Sequence, residues 1–360
     1  MWQLYIENGI VFNFWYFLLC SLGFYLGITI FGIPFVAMGY EMSEDFHERT
    51  KIMAVSQFIG QFAWIIAPWI WVIIYDPAIF IDPASGTREL SIYIGIACTI
   101  FAITPALFIK SRSTIDDDHL VPLTRKNIGA SFSNILNIFK DAYKNIPFRK
   151  LCLATFLVFN SFQTIAAFSF FIIVHYLFSG DASAAGIWPT LHGSIGAVIT
   201  TLLVIPVVSK MAQKFGKKQT FIVSQSISII GYILFWFLFI PGKPYMFLYA
   251  LPFFSFGIGG LFTIMMSMTA DVCDYEELQN GLPRREGAFG AIYWWMVKLG
   301  TALAGLFAGI IMWYVGFAPD AAAQPEGALT GLRFFYTFIP IIGTSLAIYI
   351  MWDYDIDEKR

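Results

Sequence analysis

Long apolar runs alternate along the chain with short charged stretches. Nine runs stand out, at about 12–40, 52–75, 90–110, 151–178, 185–208, 219–240, 245–269, 288–316 and 332–352. A bilayer core needs roughly 20 apolar residues per helix, which each run supplies or approaches. All nine are far longer than a barrel strand, and none alternates apolar and polar residues with period two. The pattern predicts an all-α polytopic membrane protein with nine transmembrane helices.

Composition points the same way. The chain is 58% hydrophobic and only 13% charged, whereas a soluble domain carries about 25% charged residues. The placement of charge adds orientation. If the loops are taken alternately, one set holds eighteen of the 22 Lys and Arg residues, including eight between Lys110 and Lys150 and four between Lys210 and Lys218. The opposite set holds Arg88, Lys243 and Arg333. The positive-inside rule then predicts a cytoplasmic C-terminus and an outside N-terminus in a multi-pass protein of the cell membrane. One basic residue, Lys298, lies within a run. The four cysteines, Cys20, Cys98, Cys152 and Cys273, fit neither a disulfide framework nor a zinc site, and no metal site is predicted. The chain has no P-loop, HExxH or GxSxG, so an enzyme is not expected. No nucleic-acid partner or cofactor is predicted either.

Two acidic stretches echo each other. Residues 270–287 read ADVCDYEELQNGLPRREG, and residues 38–50 read MGYEMSEDFHERT. Each follows a glycine-containing run and sets an acid near the membrane, Asp271 or Glu41. An Asp–aromatic pair follows, Asp274–Tyr275 or Asp45–Phe46, and then Glu and Arg precede the next run: Glu276 with Arg284 and Arg285, or Glu48 with Arg49. The echo indicates a duplicated unit, and parallel six-helix repeats build major-facilitator halves. Three runs precede the one that leads into the second motif, yet none precedes the equivalent run 12–40. The expected organisation is a partial N-terminal half of three spans at 1–110, a cytoplasmic linker at 111–149 and a six-span half at 150–360. Within the linker, Phe132, Ile135, Leu136, Phe139, Tyr143 and Ile146 recur at helical spacing, as in an interfacial amphipathic helix. The reading is of a twelve-span parent whose first three spans are absent.

These motifs resemble the glycoside-pentoside-hexuronide:cation symporter family, in its melibiose permease-like form. The residues that carry the resemblance are Ile33-Pro34-Phe35 with Glu41, Asp45 and Glu48-Arg49-Thr50, then Asp271, Asp274-Tyr275-Glu276, Gly281, Arg284 and Glu286-Gly287, with Lys298 in the next run. The resemblance covers essentially the whole chain. It implies the major-facilitator fold and symport of a sugar or related solute with Na+ or H+. Two positions depart from the melibiose type, which carries an acid where Gly32 stands and an arginine where Gln57 stands. Galactoside specificity is therefore not implied. The family's cation-binding acids lie mainly on a span that this chain lacks.

Individual residues carry the chemistry. Lys298 lies eleven residues into its run, about 16 Å deep, where a lysine costs about 2.5–3.5 kcal/mol on insertion. It reads as a cavity residue that meets a solute oxygen or an acid on the absent spans; a lysine satisfied by carbonyls, or by stacking on Trp294 and Trp295, is the plainer account. Tyr293 and Trp294 offer faces for a sugar ring, or simple packing, and Thr301 extends the polar line. Asn160 with Gln163, and Gln57 with Gln61, pair at helical spacing; each pair can line a cavity or bond between helices. His175 and His192 are placed near external membrane edges. The basic turn from Lys210 to Lys218 reads as an anchor to lipid phosphate and to a neighbouring helix end. Asp45 and Glu48 have capping-box spacing. The sharper reading of the acidic motifs is a cytoplasmic gate in which Asp271, Asp274, Tyr275 and Glu276 engage Arg284, Arg285 or the other half, with Glu41, Asp45, Glu48 and Arg49 as the counterpart. The expected function is a monomeric secondary transporter, a cation-coupled symporter of a glycoside, pentoside, hexuronide or related solute. A lysolipid carrier of the same fold and a truncated, non-transporting fragment are the alternatives.

Overall fold

A computed structural model of the chain describes residues 9–41, 59–108, 139–140, 142–280, 286–318, 324–325 and 327–356. The described residues are helical, with turns and no strand. Eight helices are long and apolar enough to cross a membrane, and a shorter apolar helix spans Ile59–Ile74. In chain order they are α1 (Ile10–Glu41), α2 (Ile59–Ile74), α3 (Pro83–Phe108), α4 (Ile146–Leu177), α5 (Ala182–Phe215), α6 (Lys217–Leu238), α7 (Leu251–Asn280), α8 (Glu286–Tyr314) and α9 (Ala328–Trp352). Each corresponds to one of the nine predicted runs. The linker helix expected before α4 falls almost wholly outside the described residues.

Two differences from the sequence reading have clear causes. The second run is broken at Ala67–Pro68, because a proline ring cannot continue the helical hydrogen-bond ladder. Near the break, Ser194 donates to the Ile65 carbonyl at 2.6 Å and Thr190 to the Pro68 carbonyl at 2.8 Å. Hydroxyls of α5 thus serve backbone carbonyls that water cannot reach in a bilayer. The second difference is at the acidic motif. The apolar run ends near residue 269, but α7 continues as helix to Asn280. The charged stretch therefore begins as a helical extension rather than a loop. Backbone bonding continues past the point where side chains stop being apolar.

The chain divides into two compact units. One comprises residues 1–63 and 73–121, the other residues 64–72 and 122–360. In the first, Asp82 caps α3 by accepting from the backbone N–H groups of Ala84 and Ser85, each at 2.9 Å. In the second, α4 starts on a comparable cap: Asn145 accepts from the Phe148 N–H at 3.0 Å, and Pro147 occupies the first turn. Helix α4 packs chiefly on α8 and α9, and α6 on α7 and α9. Two buried layers hold this unit together. One contains Phe148, Leu151, Phe221, Met265, Phe289 and Met351, and the other Ile165, Phe168, Tyr232, Phe235, Phe247 and Tyr336. Glycines set the closest approaches. A Cβ on Gly231 would overlap the Phe254 backbone nitrogen, and one on Gly343 would overlap Ser161 Oγ. Short π-helical stretches widen α4 at Ile172–Leu177 and α5 at Thr200–Val204. Such turns re-aim the side chains beyond them.

Candidate functional site

Helix α8 places Trp294, Lys298 and Thr301 on one face, since steps of four and three residues return to nearly the same direction. The face spans about 10 Å at 1.5 Å per residue. Lys298 and Thr301 are exposed on this unit, and Trp294 is 42% exposed. Helix α4 supports the face from one side. Asn160 Nδ2 donates to the Gly300 carbonyl at 3.1 Å, and Gln163 Nε2 lies 3.5 Å from Thr301 Oγ1, at the outer limit of a hydrogen bond. The two backbones lie close at Gly300, where an added Cβ would sit 3.4 Å from Asn160 N and Phe156 O, about ordinary van der Waals contact. Helix α7 supplies the aromatic floor. The Phe262 ring stacks on Trp294 with centroids 6.1 Å apart, and Phe159 meets Phe262 edge-on at 5.8 Å.

The predicted residues separate on this geometry. Trp294, Lys298, Thr301 and Gln163 come together. Asn160 borders them, but its amide is committed to the Gly300 carbonyl, the interhelical role that was the plainer account. Tyr293 is turned away. It is 1% exposed and sits beside Thr155 and Cys152, because one residue along a helix rotates the side chain by about 100°. Gln57 lies outside the described residues. No described residue makes a hydrogen bond or ion pair with Lys298. The aromatic partners Phe262 and Phe159 escaped the sequence reading. They sit in uniformly apolar runs, where no polar neighbour singles them out.

Of the proposed gate residues, Asp271 is the best described. Lys217 Nζ, at the start of α6, reaches both of its carboxylate oxygens, at 2.7 and 2.6 Å. The basic turn thus meets a neighbouring helix, though within α7 and not at its end at Asn280. It also supplies Asp271 with a partner inside its own unit, where the sequence had pointed to Arg284, Arg285 or the other half. The buried Tyr354 phenol lies close by. Burial raises its pKa, and the Asp271 carboxylate raises it further. Lys150 bonds both the carboxylate and the carbonyl of Asp353, tying α4 to the end of α9. Glu276 is buried and Tyr275 partly so. Asp274 and Glu41 lie on described helices, but their side chains, with Asp45, Glu48, Arg49, Arg284 and Arg285, fall outside the described residues.

The two histidines are better packed than expected at membrane edges. His192 is buried among Phe235, Phe247 and Phe254, with Nε2 3.4 Å from the Tyr336 hydroxyl. His175 lies against the rings of Phe171 and Phe317. Arg333, six residues into α9, donates to the Tyr176 hydroxyl and the Trp236 carbonyl at 2.7 and 2.6 Å. Its guanidinium also stacks over both of their rings. This clamp joins α4, α6 and α9, and no spacing in the sequence announced it.

Comparison with known proteins places the whole. Residues 3–358 match the family described as MFS/sugar transport protein. The chain is 28% identical over 226 residues to a glucuronide carrier protein homolog of Escherichia coli (strain K12), covering 62% of the chain and 48% of that protein. It is 27% identical over 270 residues to a protein of the same organism named as a sulfoquinovose importer, covering 74% and 55%. It is 21% identical over 348 residues to the isoprimeverose transporter of Lactiplantibacillus pentosus, covering 93% and 67%. The chain spans about half the length of the first two of these curated relatives. The resemblance carried by the two acidic motifs is borne out, and the family and the eight membrane-length helices are those of an integral multi-pass membrane protein. The chain belongs to the MFS/sugar transport protein family.

Proposed function

We propose that the protein is a transporter of a sugar-class solute, coupled to Na+ or H+ and working by alternating access as a monomer in the cell membrane. The observation that carries this reading is the mixed face of α8. It sets an indole, an ammonium and a hydroxyl in a line, beside the Gln163 amide and above the Phe262 ring. A lipid-facing surface would not hold Lys298, Thr301 and Gln163 together at mid-span, since intramembrane polar groups face cavities or partners. Sugars present the complementary surface, with apolar C–H faces for Trp294 and hydroxyls for Gln163 and Thr301. The named solutes of the relatives, a glucuronide, sulfoquinovose and isoprimeverose, are all of this class.

In this reading Asn160 positions α8 through Gly300, and Tyr293 braces it from behind. The acidic motifs, with Asp271 held by Lys217, form the cytoplasmic gate. The C-terminus faces the cytoplasm, as the distribution of Lys and Arg supports. Alternating access then changes which side of the membrane the α8 face meets.

The test is uptake by the full chain in proteoliposomes, across a panel of labelled glycosides, pentosides and uronides. It is run with an imposed Na+ gradient and, separately, with a proton gradient. Gradient-dependent uptake of at least one member is expected. Trp294→Ala should lower it by about tenfold, the equivalent of one lost ring contact of about 1.4 kcal/mol. Absence of uptake across the panel would sink the reading, and uptake of a lysolipid instead would replace it.

A further inference from the structure

Helix α2 breaks at Ala67–Pro68, and the piece around the break belongs with the second unit: residues 64–72 group with residues 122–360. Helix α5 clasps this piece. Thr190 and Ser194, both buried and one turn apart, donate to the Pro68 and Ile65 carbonyls at 2.8 and 2.6 Å. Gly193 lets the proline ring in, since a Cβ there would come within 2.9 Å of Pro68 Cγ. Two hydroxyls and a missing side chain thus match two carbonyls and a ring. The fit fixes where the turn after Pro68 lies, and that turn carries Trp71.

Trp71 meets α4. Its ring lies edge-on to Phe170 with centroids 4.2 Å apart, and both residues are partly buried. Phe170 stands two turns after Gln163, so the two share a stripe of α4 about 10 Å apart along the helix. Ala166 lies between them on that stripe, at i+3 from Gln163 and i−4 from Phe170. The stripe therefore runs from the Gln163–Thr301 contact, past a small residue that leaves room, to a pair of large rings. An edge-to-face ring pair excludes water, yet it is a modest attraction with no hydrogen bond to break. Such a contact opens readily. The clasp beside it is buried and hydrogen-bonded, and is costly to undo.

We infer that Trp71 and Phe170 form a lid that closes the solute site at the end of α4 leading to Leu177, and that Thr190, Gly193 and Ser194 are positioning residues that hold Trp71 in place for it. This rests on the sugar-transport reading above and adds the step that shuts the site behind the solute. In the orientation proposed there, the lid is on the outer side.

Ala166→Cys reports on the lid in right-side-out membrane vesicles holding the full chain. A membrane-impermeant maleimide is added outside, and its reaction at position 166 is followed by mass spectrometry. Trp71→Ala should speed the reaction about tenfold, the equivalent of one lost ring contact, and Trp71→Phe should not. Thr190→Val with Ser194→Ala should speed it comparably, although Trp71 itself is unchanged. Buried Cys152 in the same chain should stay unreacted; parallel reaction there would assign the effect to a loosened bundle and overturn the lid. A rate that Trp71→Ala leaves unchanged would also overturn it, and one that the clasp variant leaves unchanged would overturn the positioning role. None of these results touches the sugar reading, because the labelling needs no solute. A second measurement ties the lid to transport. In Trp71→Cys with Phe170→Cys, a short bis-thiosulfonate bridge should cut uptake of the panel solute about tenfold. Reductant should restore it, and each single variant treated alike should not respond. A bridge that does not form, or uptake that persists through one that does, would overturn the inference and leave the sugar reading standing. Absence of uptake by wild-type protein across the panel would sink that reading, and the lid's role with it.

Discussion

Helices α1 and α4 have nearly the same mean hydropathy, yet among the described residues none of the most apolar stretch of α1 is buried, against half of that of α4. Both carry the small residues that let helices approach. Helix α4 has Ser161, Thr164 and Ser169, all buried, and meets Gly300 of α8 and Gly343 of α9. Helix α1 has Gly23, Gly27 and Gly32, and a Cβ added to any of them would meet nothing within 4 Å among the described residues. Hydropathy therefore reports only that a segment leaves water. Small residues permit close packing between membrane helices but do not create it. What distinguishes α4 is that its small residues face partners of matching shape, down to an amide of α4 that bonds a carbonyl of α8.

The largest test of this contrast is at Gly231. A side chain there would drive into the backbone at Phe253 and Phe254, which cannot move aside as a flexible side-chain tip could. Gly231→Val is expected to cost roughly 3 kcal/mol through overpacking. The midpoint of thermal unfolding in detergent should fall by about 6–12 °C. An unchanged midpoint would mean that α6 and α7 are loosely seated, and the contrast with α1 would lose its basis.

The fold was legible in the sequence to the extent that it depends on hydropathy. Each predicted run corresponds to a helix, but proline content alone did not locate the break at Pro68, since α3 and α9 run on through Pro105 and Pro340. The extension of α7 past residue 269 was not legible, because backbone bonding does not end where side-chain polarity changes. At the site, Lys298, Trp294 and Thr301 could be read from helical spacing alone. Gln163 could be placed on a face but not opposite Thr301. Tyr293 was misdirected because its neighbour in sequence is not its neighbour on the helix. Phe262 and the Arg333 clamp depend on which helices adjoin, and periodicity along one chain segment carries no information on that.

A smaller effect is expected at the charged end of the same unit. Lys217 and Asp271 are each about a quarter to a third exposed, at 26% and 34%, so solvent screens much of their attraction. Lys217→Met should cost about 1 kcal/mol, near the upper end for exposed pairs, and lower the midpoint by about 2–4 °C. Exchanging the two residues, Lys217→Asp with Asp271→Lys, should recover part of that loss. The single-variant effect should also shrink at high salt. If the exchange were worse than either single change, Asp271 would have a second cationic partner, as the original gate reading supposed.

The smallest effect is expected in α1. Gly27→Ala adds a Cβ that meets no described residue and removes a flexible residue from a helix interior. The substitution should be neutral or stabilising by about 0.5–1 kcal/mol. Read beside Gly231→Val in the same thermal assay, it turns the contrast between the two helices into a difference of sign. A loss at Gly27 comparable to that at Gly231 would show that this glycine face packs on another helix in the working protein. Helix α1 would then differ from α4 in which partner it meets, not in whether it is packed.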